Sequence, residues 1–534
     1  MILHPIDALV VGVYLVAITM IGLRFSRRNH STERYFLGGR NFPGWAMGLS
    51  FIGSTISSVT FIAYPADSFK TAWIRFLPNL AFPVIAILAA YVLVPFFRRG
   101  TVRSAYHYLS LRFGPSVCLY AALVYVLAQV VRTATITYLL SVLLGTLTGL
   151  GPLTSIAIAA GVTALYTVKG GFEAVVWTDV IQTIVLIIGA VACVLLIINA
   201  VPGGLVEIFE HARAAGKLSF RDLDVRTGLL EPVGGGFSLG QKTSAMLVLV
   251  GASQYVASQL DQHSVQRWCA ARTTREARKS MYVLGLGAVP IWATFMFLGT
   301  ALWVYYQARP DDVSMGILEG RRRAEDILPH FIVTTLPPGA AGLVIASAIA
   351  AAMGSLSSSI SAAGMVWVND IYRPRISPDR DDAHYLRASR WTSLAISTGM
   401  MVGAYLFHIA NSKTMMDVSI IATALFSGGI SGAFLFGLLT RRGDHRAVLI
   451  GIVATALFTI YAFLSQFGVA PRWFDPYYTA ILGNLVMFGA CWLASVFLPA
   501  PPRDLTNLTF WDREEEPPSA DPTPSPVETA TRPA

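Results

Sequence analysis

The sequence predicts an all-α integral membrane protein with about thirteen transmembrane helices. Of its 534 residues, 54% are hydrophobic and only 13% are charged, whereas soluble domains carry about 25% charged residues. About thirteen apolar runs are long enough, at roughly 18 residues or more, to cross a bilayer as a helix. These runs lie near residues 6–24, 44–67, 74–97, 117–148, 152–168, 177–201, 241–262, 281–307, 332–366, 389–409, 415–439, 446–465 and 476–499.

Every second connection between these runs is strongly basic. The short connections that alternate with the basic ones carry almost no lysine or arginine. Basic connections stay in the cytoplasm, so the pattern predicts an N-terminus outside the cell and a C-terminus inside. An odd number of spans agrees with that orientation. The basic connections are residues 24–40, 98–112, 267–279, 373–390 and 441–446.

The remaining composition excludes other classes of protein. The basic connections account for the net charge of +9, so we expect no nucleic-acid partner. The four cysteines and nine histidines show no metal-ligand or acyl-transfer spacing, so we expect no enzyme. Residues 501–534 are rich in Pro, Glu, Thr and Ser, which predicts a disordered cytoplasmic tail.

One charged side chain, Arg132, stands alone between Arg112 and Lys169, midway along the fourth run. Placing an unpaired guanidinium at that depth costs at least about 2.5–3.5 kcal/mol. We therefore expect Arg132 to face a cavity, a partner or a ligand. The feature points to an anion-binding site inside the membrane.

Three further segments carry candidate cation ligands. Residues 53–60 hold five hydroxyl side chains and a glycine, which predicts an unwound stretch with free carbonyls or a small-residue packing face. In the ninth run, serines 355, 358 and 359 recur at helical spacing and offer neutral oxygens for Na⁺, although helix packing explains them too. Asp179 is either a helix cap or a cation ligand.

Four segments together resemble the sodium/solute symporters, and the resemblance covers residues 6–500. They are Gly170-Gly171 to Gln182, Pro95 with Thr101 to Gly114, Asp261-Gln262 with Val265-Gln266-Arg267, and the serine-rich run that ends at Asp370-Ile371-Tyr372. The resemblance implies one transmembrane domain, residues 1–500, with the inverted five-helix repeat of the LeuT type. One helix would precede the repeats and two would follow them. The repeats would span residues 44–201 and 241–439, each starting with a broken helix, the second at residues 251–254.

The resemblance also implies two sodium sites, for one or two transported ions. The main site would use the carbonyls of Gly53, Ile56 and Ala351 and the hydroxyl of Ser355. The second site would use Asp179, Ser357 and Ser358. Gly354 departs from the family pattern, which often has a hydroxyl residue there, and so removes one ligand.

The residues expected to bind the substrate resemble those of the bacterial sialic acid symporters. In those proteins an arginine pairs with the substrate carboxylate and hydroxyls hydrogen-bond the substrate. The matching residues are Thr55, Ser57, Thr60 and Arg132. Asn79 stands where that subgroup has a longer amide, and Arg75 replaces an aromatic residue. Residues 58–61 and 65–66 also resemble the monocarboxylate and iodide branch.

These comparisons imply sodium-coupled import of a small organic anion, a sialic acid or a monocarboxylate, across a bacterial inner membrane. No obligatory protein partner is inferred beyond the lipid bilayer. The alternative is a symporter of a neutral sugar, amino acid or vitamin. Arg132 would then be structural and paired with an acid from another helix.

Overall fold

The computed structural model is almost entirely helical in the part that it describes, which is residues 3–98, 104–223, 230–410, 429–466, 468–499, 501 and 503–512. Within those ranges, the two short strands β1 (Arg221–Leu223) and β2 (Leu230–Pro232) form an antiparallel hairpin. Nine of the described helices are long and apolar enough to cross a membrane, or ten if a bent pair counts as one span. Thr101 and most of the eleventh predicted run, residues 411–428, lie outside the described residues.

The first half of the chain forms α1 (Pro5–Arg24), α2 (Thr32–Leu37), α3 (Gly44–Thr55), α4 (Ser58–Lys70), α5 (Phe82–Arg98), α6 (Ala105–Phe113), α7 (Pro115–Thr148), α8 (Pro152–Ala200) and α9 (Gly204–Ala214). The second half forms α10 (Ser244–Gln259), α11 (Gln262–Ala270), α12 (Thr274–Ala308), α13 (Asp312–Leu318), α14 (Ile327–Thr335), α15 (Ala340–Val366), α16 (Asp382–Ala410), α17 (Ile430–Leu439), α18 (His445–Gln466) and α19 (Thr479–Phe497).

Helix α8 contains two predicted runs, 152–168 and 177–201, that follow each other without a loop. They meet at Gly171, where the backbone leaves the helical region with φ 61° and ψ −161°. Glycine adopts this conformation without the steric cost that a side chain imposes. A β-carbon at Gly171 would also lie 2.8 Å from the carbonyl oxygen of Tyr35, so the kink packs closely against α2.

The second predicted run is a broken helix, as its hydroxyl-rich sequence suggests. Helices α3 and α4 are bent by 60° relative to each other. Between them, Ile56 (φ −91°, ψ 107°) and Ser57 (φ −105°, ψ 177°) are extended. The break ends the hydrogen-bond ladder of α3 and starts that of α4, so carbonyl groups at the end of α3 lose their helical partners and can bind another group.

The second break lies elsewhere than predicted. Helix α10 runs through residues 251–254 without interruption, and the chain leaves the helix at Leu260 and Asp261. Gly251 serves packing instead, because a β-carbon there would lie 2.2 Å from the carbonyl oxygen of Pro78. Asp261 begins α11 by accepting a hydrogen bond from the backbone N–H of His263 at 3.2 Å, as an N-cap does.

The serine-rich helix α15 lies at the centre of the molecule. All but a few of its residues are buried. It packs chiefly against α8 and also contacts α1, α3, α7 and α16. On the other side of α3, helix α12 packs against α3, α4 and α5. The break in the second run is therefore enclosed by helices from both halves of the chain.

Two connections outside the long helices contain short ones: α9 lies between α8 and α10, and α13 lies between α12 and α14. Lys217, which follows α9, is buried and donates hydrogen bonds to the carbonyls of Phe69 and Thr71 at 2.7 and 2.8 Å. A cation suits the C-terminal end of a helix, and this contact fastens the connection to the end of α4. Burial lowers the pKa of Lys217 to about 7.

The predicted disorder of residues 501–534 is wrong for residues 503–512. Phe510 donates its backbone N–H to the carbonyl of Leu438 at 2.9 Å, and Tyr108 donates its hydroxyl to the carbonyl of Leu508 at 3.0 Å. The Phe510 ring also packs edge-on against Phe96, with 5.8 Å between ring centroids. The average composition of the tail hides this short apolar segment. Residues 513–534 lie outside the described residues.

Shortening Phe510 to alanine is expected to lower the stability of the folded protein by about 1–2 kcal/mol, because a half-buried aromatic ring loses its contacts. Thermal unfolding of the purified protein in detergent measures the effect. A chain that ends after Asp512 is the matched control, since it keeps every contact described for residues 503–512, and it should melt like the full chain. Equal melting of Phe510→Ala and the full chain would show that the docked segment contributes nothing.

Candidate functional site

The break between α3 and α4 meets α15. The hydroxyl of Ser355 donates a hydrogen bond to the carbonyl of Ser54 at 3.1 Å and lies 3.5 Å from the carbonyl of Ala351. Ser355 and Ala351 are almost fully buried. Gly53 precedes Ser54 on α3, and Ile56 lies in the break itself. The residues expected to bind the main sodium ion therefore lie where the break and α15 meet.

Gly354 lets α15 approach α3 closely. A β-carbon on Gly354 would lie 2.7 Å from the carbonyl oxygen of Gly53 and 3.2 Å from Oε1 of Gln182. β-Carbons in folded proteins essentially never lie within 3.0 Å of an atom to which they are not bonded. The absence of a side chain at Gly354 thus permits the close contact between the two helices. Gln182 Oε1 is buried and has no hydrogen-bond partner among the described residues.

Adding a methyl group in Gly354→Ala is expected to destabilise the protein by about 1–3 kcal/mol, because the new carbon overlaps the Gly53 carbonyl. It should also raise several-fold the sodium concentration needed for half-maximal thermal stabilisation. Gly161→Ala on α8 is the matched control, since no atom lies within 4 Å of a β-carbon there. The control should be neutral or more stable by up to about 1 kcal/mol. Unchanged sodium dependence in Gly354→Ala would contradict the expectation.

The residues of the expected second sodium site surround the carboxylate of Asp179. Its Oδ2 accepts hydrogen bonds from the hydroxyls of Ser50 at 2.7 Å and Ser358 at 3.2 Å, and its Oδ1 accepts one from Ser357 at 3.2 Å. The guanidinium of Arg267 also donates to Oδ2 at 3.0 Å. The predicted residues are therefore together, but a protein cation shares their carboxylate.

Sequence reasoning missed the contact between Arg267 and this site. Arg267 was assigned only to the basic connection 267–279, whereas its side chain is just 1% exposed and pairs with Asp179. The guanidinium also donates to Ser358 Oγ at 2.6 Å and lies over the rings of Phe51 and Phe172, 5.2 and 5.9 Å from their centroids. The sequence did offer a signal: it has one acid within an apolar run, Asp179, and one basic residue directly after another such run, Arg267.

Two of the three predicted substrate hydroxyls are available for a ligand. Ser57 and Thr60 are 9% and 7% exposed, and among the described residues neither hydroxyl bonds a protein group. Thr55 instead donates its hydroxyl to the carbonyl of Phe51 at 2.8 Å, within its own helix. Threonine hydroxyls commonly make this bond, which leaves their lone pairs free to accept another.

Asn79 connects α4 to α10. Its amide nitrogen donates to the hydroxyl of Tyr64 at 3.0 Å, and its amide oxygen accepts from the hydroxyl of Tyr255 at 2.5 Å. The neighbouring Arg75 forms an ion pair with Asp67, so its charge is neutralised within the protein. The nitrogen and the oxygen of the amide thus each have a protein partner. A substrate that contacted the amide would also contact the two tyrosines.

Arg132 lies beside the second break. It is partly exposed, and no carboxylate oxygen of the described residues lies within 4.0 Å of its guanidinium. It interacts electrostatically with Asp261 and His263, at the start of α11. Among the described residues, Arg132 hydrogen-bonds none of the predicted substrate hydroxyls, which are those of Thr55, Ser57 and Thr60.

These features define a class of protein. Helices broken at the centre of a bundle, with free carbonyls beside a polar helix, form the ion and solute sites of secondary transporters. Residues 35–466 match the model of the sodium:solute symporter family. The chain belongs to this family. It is therefore a sodium-coupled transporter and not an enzyme.

Several relatives cover nearly the whole chain. The sodium/sialic acid symporter SiaT of Proteus mirabilis is 30% identical over 91% of this chain and 94% of its own length. The sodium/sialic acid symporter NanT of Aliivibrio fischeri is 30% identical over 83% and 84%. The sodium-coupled monocarboxylate transporter 2 of Danio rerio is 27% identical over 86% of this chain and 72% of its own length.

Solved structures agree with this assignment. The substrate-bound, outward-open state of a Na⁺-coupled sialic acid symporter superposes with a TM-score of 0.82 and 28% identity, and covers 93% of this chain and 99% of its own. Mhp1, a nucleobase-cation-symport-1 family transporter, superposes with a TM-score of 0.54 and 14% identity over 88% and 95%. The second match supports the fold alone.

Proposed function

We propose that this protein imports a small organic anion together with Na⁺, and that Arg132 binds the carboxylate of the substrate. Sialic acids and short monocarboxylates are the favoured substrates, because relatives named for both classes span most of the chain. One observation carries the proposal: a partly exposed guanidinium inside the helical core has no carboxylate within 4.0 Å among the described residues. A bidentate pair with a substrate carboxylate would satisfy it.

The hydroxyls at the first break would bind the rest of the substrate. Ser57 and Thr60 have no protein partner among the described residues, and Thr55 keeps its lone pairs free. Asn79 would contribute through its network with two tyrosines. Hydroxyls and amides donate and accept hydrogen bonds, so this set suits a polar molecule behind the carboxylate.

The main sodium ion would bind the carbonyls of Gly53, Ile56 and Ala351 and the hydroxyl of Ser355. The short distance from Ser355 Oγ to the Ser54 carbonyl supports this assignment, because an ion placed between these helices would hold them together. By joining the broken helix to α15, sodium would stabilise the outward-open state. Substrate would then close the outer side, and rocking of the helices would release both inside by alternating access.

A second sodium ion at Asp179, Ser357 and Ser358 would have to share the carboxylate with Arg267. We therefore propose that this site binds sodium more weakly than the main site. Each positive charge that moves inward through 100 mV supplies about 2.3 kcal/mol. With two sodium ions, a monoanion would enter with net positive charge, and the membrane potential would assist uptake.

We further propose thirteen spans in the LeuT arrangement, with residues 44–201 and 241–439 as inverted repeats. The two breaks support this arrangement, because one follows α3 and the other follows α10, near the start of each segment. The N-terminus would lie outside and the C-terminus in the cytoplasm of a bacterial cell, with the protein in the inner membrane.

A neutral solute is the second candidate substrate. The electrostatic interaction between Arg132 and Asp261 favours it, since an acid from another helix would then be the partner of the arginine. Under this hypothesis a sugar, amino acid or vitamin would bind the hydroxyls, and Arg132 would only hold α7 near the second break. The two hypotheses differ in which compounds the protein accumulates.

Proteoliposomes test the function directly. Purified protein would be reconstituted, and uptake of labelled N-acetylneuraminate, lactate, glucose and proline would be compared with and without an inward sodium gradient. We expect accumulation of a carboxylate-bearing anion that stops when external Na⁺ is replaced by K⁺. Accumulation that persists without the gradient would refute symport, and uptake of neutral compounds alone would refute the anion assignment.

A further inference from the structure

We propose that Asp261 is the internal counter-ion of Arg132, and that the substrate carboxylate takes its place when it binds. This inference rests on the proposed function, because it assumes that Arg132 binds an anion. It assigns to Asp261 a role in specificity: the carboxylate keeps the empty site electrically neutral and opposes weakly bound anions. Asp261 is therefore a positioning residue that acts through Arg132.

The geometry begins on α7. Tyr125, Gln129 and Arg132 are spaced four and three residues apart, which places them on one face of the helix. That face meets the start of α11: Gln129 Oε1 lies 3.4 Å from Nε2 of His263, and the Tyr125 and His263 rings have centroids 6.4 Å apart. Arg132 continues the same face by one turn. Arg132 therefore stands on the side of α7 that meets the second break.

Asp261 occupies that break. Its backbone is extended (φ −79°, ψ 151°), between the end of α10 and the start of α11. Its Oδ1 accepts the backbone N–H of His263 at 3.2 Å. Arg132, Asp261 and His263 all keep partial exposure although helices surround them. Partial exposure is what a ligand requires to reach these three side chains.

The separation between the charges explains why exchange is possible. No carboxylate oxygen of the described residues lies within 4.0 Å of Arg132, so Asp261 acts through space and makes no bidentate hydrogen bonds. An incoming carboxylate can make both bonds and is the stronger partner. The same incoming anion is repelled by Asp261, because like charges disfavour each other. Only an anion that reaches the guanidinium fork overcomes this repulsion.

Other charged groups near Asp261 do not replace this pairing. His263 and Arg267 lie on α11, and Arg267 is already paired with Asp179 at 3.0 Å. Gln129 and Tyr125 on α7 are neutral. Among the described groups that face Asp261, Arg132 is therefore the cation whose charge is not met by a direct ion pair.

The test measures binding of N-acetylneuraminate and lactate, at fixed sodium concentration, by Asp261→Asn, Arg132→Gln and the double variant. Asparagine caps a helix as well as aspartate, so Asp261→Asn removes the charge and keeps the cap. We expect Asp261→Asn to bind the anion about tenfold more tightly than the unchanged protein. Asp261→Glu should bind within threefold of it. In the Arg132→Gln background, Asp261→Asn should change binding less than twofold.

Weaker anion binding by Asp261→Asn, or an equal gain with and without Arg132, would overturn the inference. Melting without ligand gives a second test that does not depend on the substrate. Arg132→Gln should lower the melting temperature, and adding Asp261→Asn should restore part of the loss, whereas additive losses would contradict the pairing. If the unchanged protein binds only neutral compounds, the proposed function fails. The melting comparison then still decides whether Asp261 and Arg132 are coupled.

Discussion

Replacing Arg267 with methionine is expected to lower the free energy of unfolding by about 3–5 kcal/mol, because Asp179 would remain buried without its cation. Both side chains are at most 1% exposed, so water cannot compensate. Thermal or denaturant unfolding in detergent measures the loss. The variant should also accumulate less folded protein in the membrane, because a loss of this size is a large fraction of the total stability of a typical domain.

A double variant and a surface pair provide the controls. Asp179→Asn combined with Arg267→Met removes both charges and should recover part of the lost stability, because no unpaired ion remains. Arg441→Met breaks an exposed pair with Asp512, in which the side chains are 60% and 27% exposed, and should cost at most about 1 kcal/mol. If Arg267→Met and Arg441→Met melted alike, the buried pair would have no special role in stability.

Under the proposed function, the same pair distinguishes the two proposed sodium sites. At the main site, neutral carbonyl and hydroxyl oxygens surround the junction of α3 and α15, and no protein cation is near in the contacts described for Ser355. At Asp179 a guanidinium is already present. Sodium that binds there must compete with Arg267 or share the carboxylate with it. Under the proposed function, this difference is the physical reason for a second ion to bind more weakly than the first.

The sequence predicted those parts of the fold that depend on neighbouring residues. Runs of apolar residues predicted a helical membrane protein, and nine or ten of the described segments are apolar spans. The cluster of hydroxyls after Gly53 left a break and a packing face open, and the structure has a break at Ile56 and Ser57. The second break was misplaced, because glycine can serve either an unwound backbone or close packing. At Gly251 it serves packing against Pro78, and the break occurs where Asp261 caps the next helix.

Contacts between distant segments were harder to predict. Asp179 and Arg267 are 88 residues apart, and only the folded chain brings them within 3.0 Å. The sequence analysis placed Arg267 only in a basic connection and did not pair it with an acid. Likewise, Arg132 was predicted to face a cavity, a partner or a ligand, but the acid that interacts with it, Asp261, lies in the second break, which was predicted at residues 251–254. The resemblance grouped Asp179 with Ser357 and Ser358, and the folded chain brings these three side chains into hydrogen-bond contact. No local pattern pairs segments that lie so far apart in the sequence.

Replacing Arg132 with lysine is expected to reduce the uptake of a carboxylate substrate at least tenfold, although the positive charge is kept. Arginine presents a planar fork that binds both carboxylate oxygens, whereas lysine offers a single point charge on a flexible stem. Hydrogen bonds to charged groups contribute about 1.5–3 kcal/mol, which corresponds to roughly a tenfold or larger loss of affinity. Initial rates of sodium-driven uptake, measured over a range of substrate concentrations, give the change.

Arg75→Lys is the matched control, because Arg75 already pairs with Asp67 and lysine can keep that ion pair. Its uptake should stay close to that of the unchanged protein. If Arg132→Lys also kept near-normal uptake, the arginine would not grip a carboxylate, and the neutral-solute hypothesis would follow. A loss confined to anions and absent for neutral compounds would instead assign the guanidinium to substrate recognition. A charge that serves only to hold α7 near Asp261 would not distinguish between the two kinds of substrate.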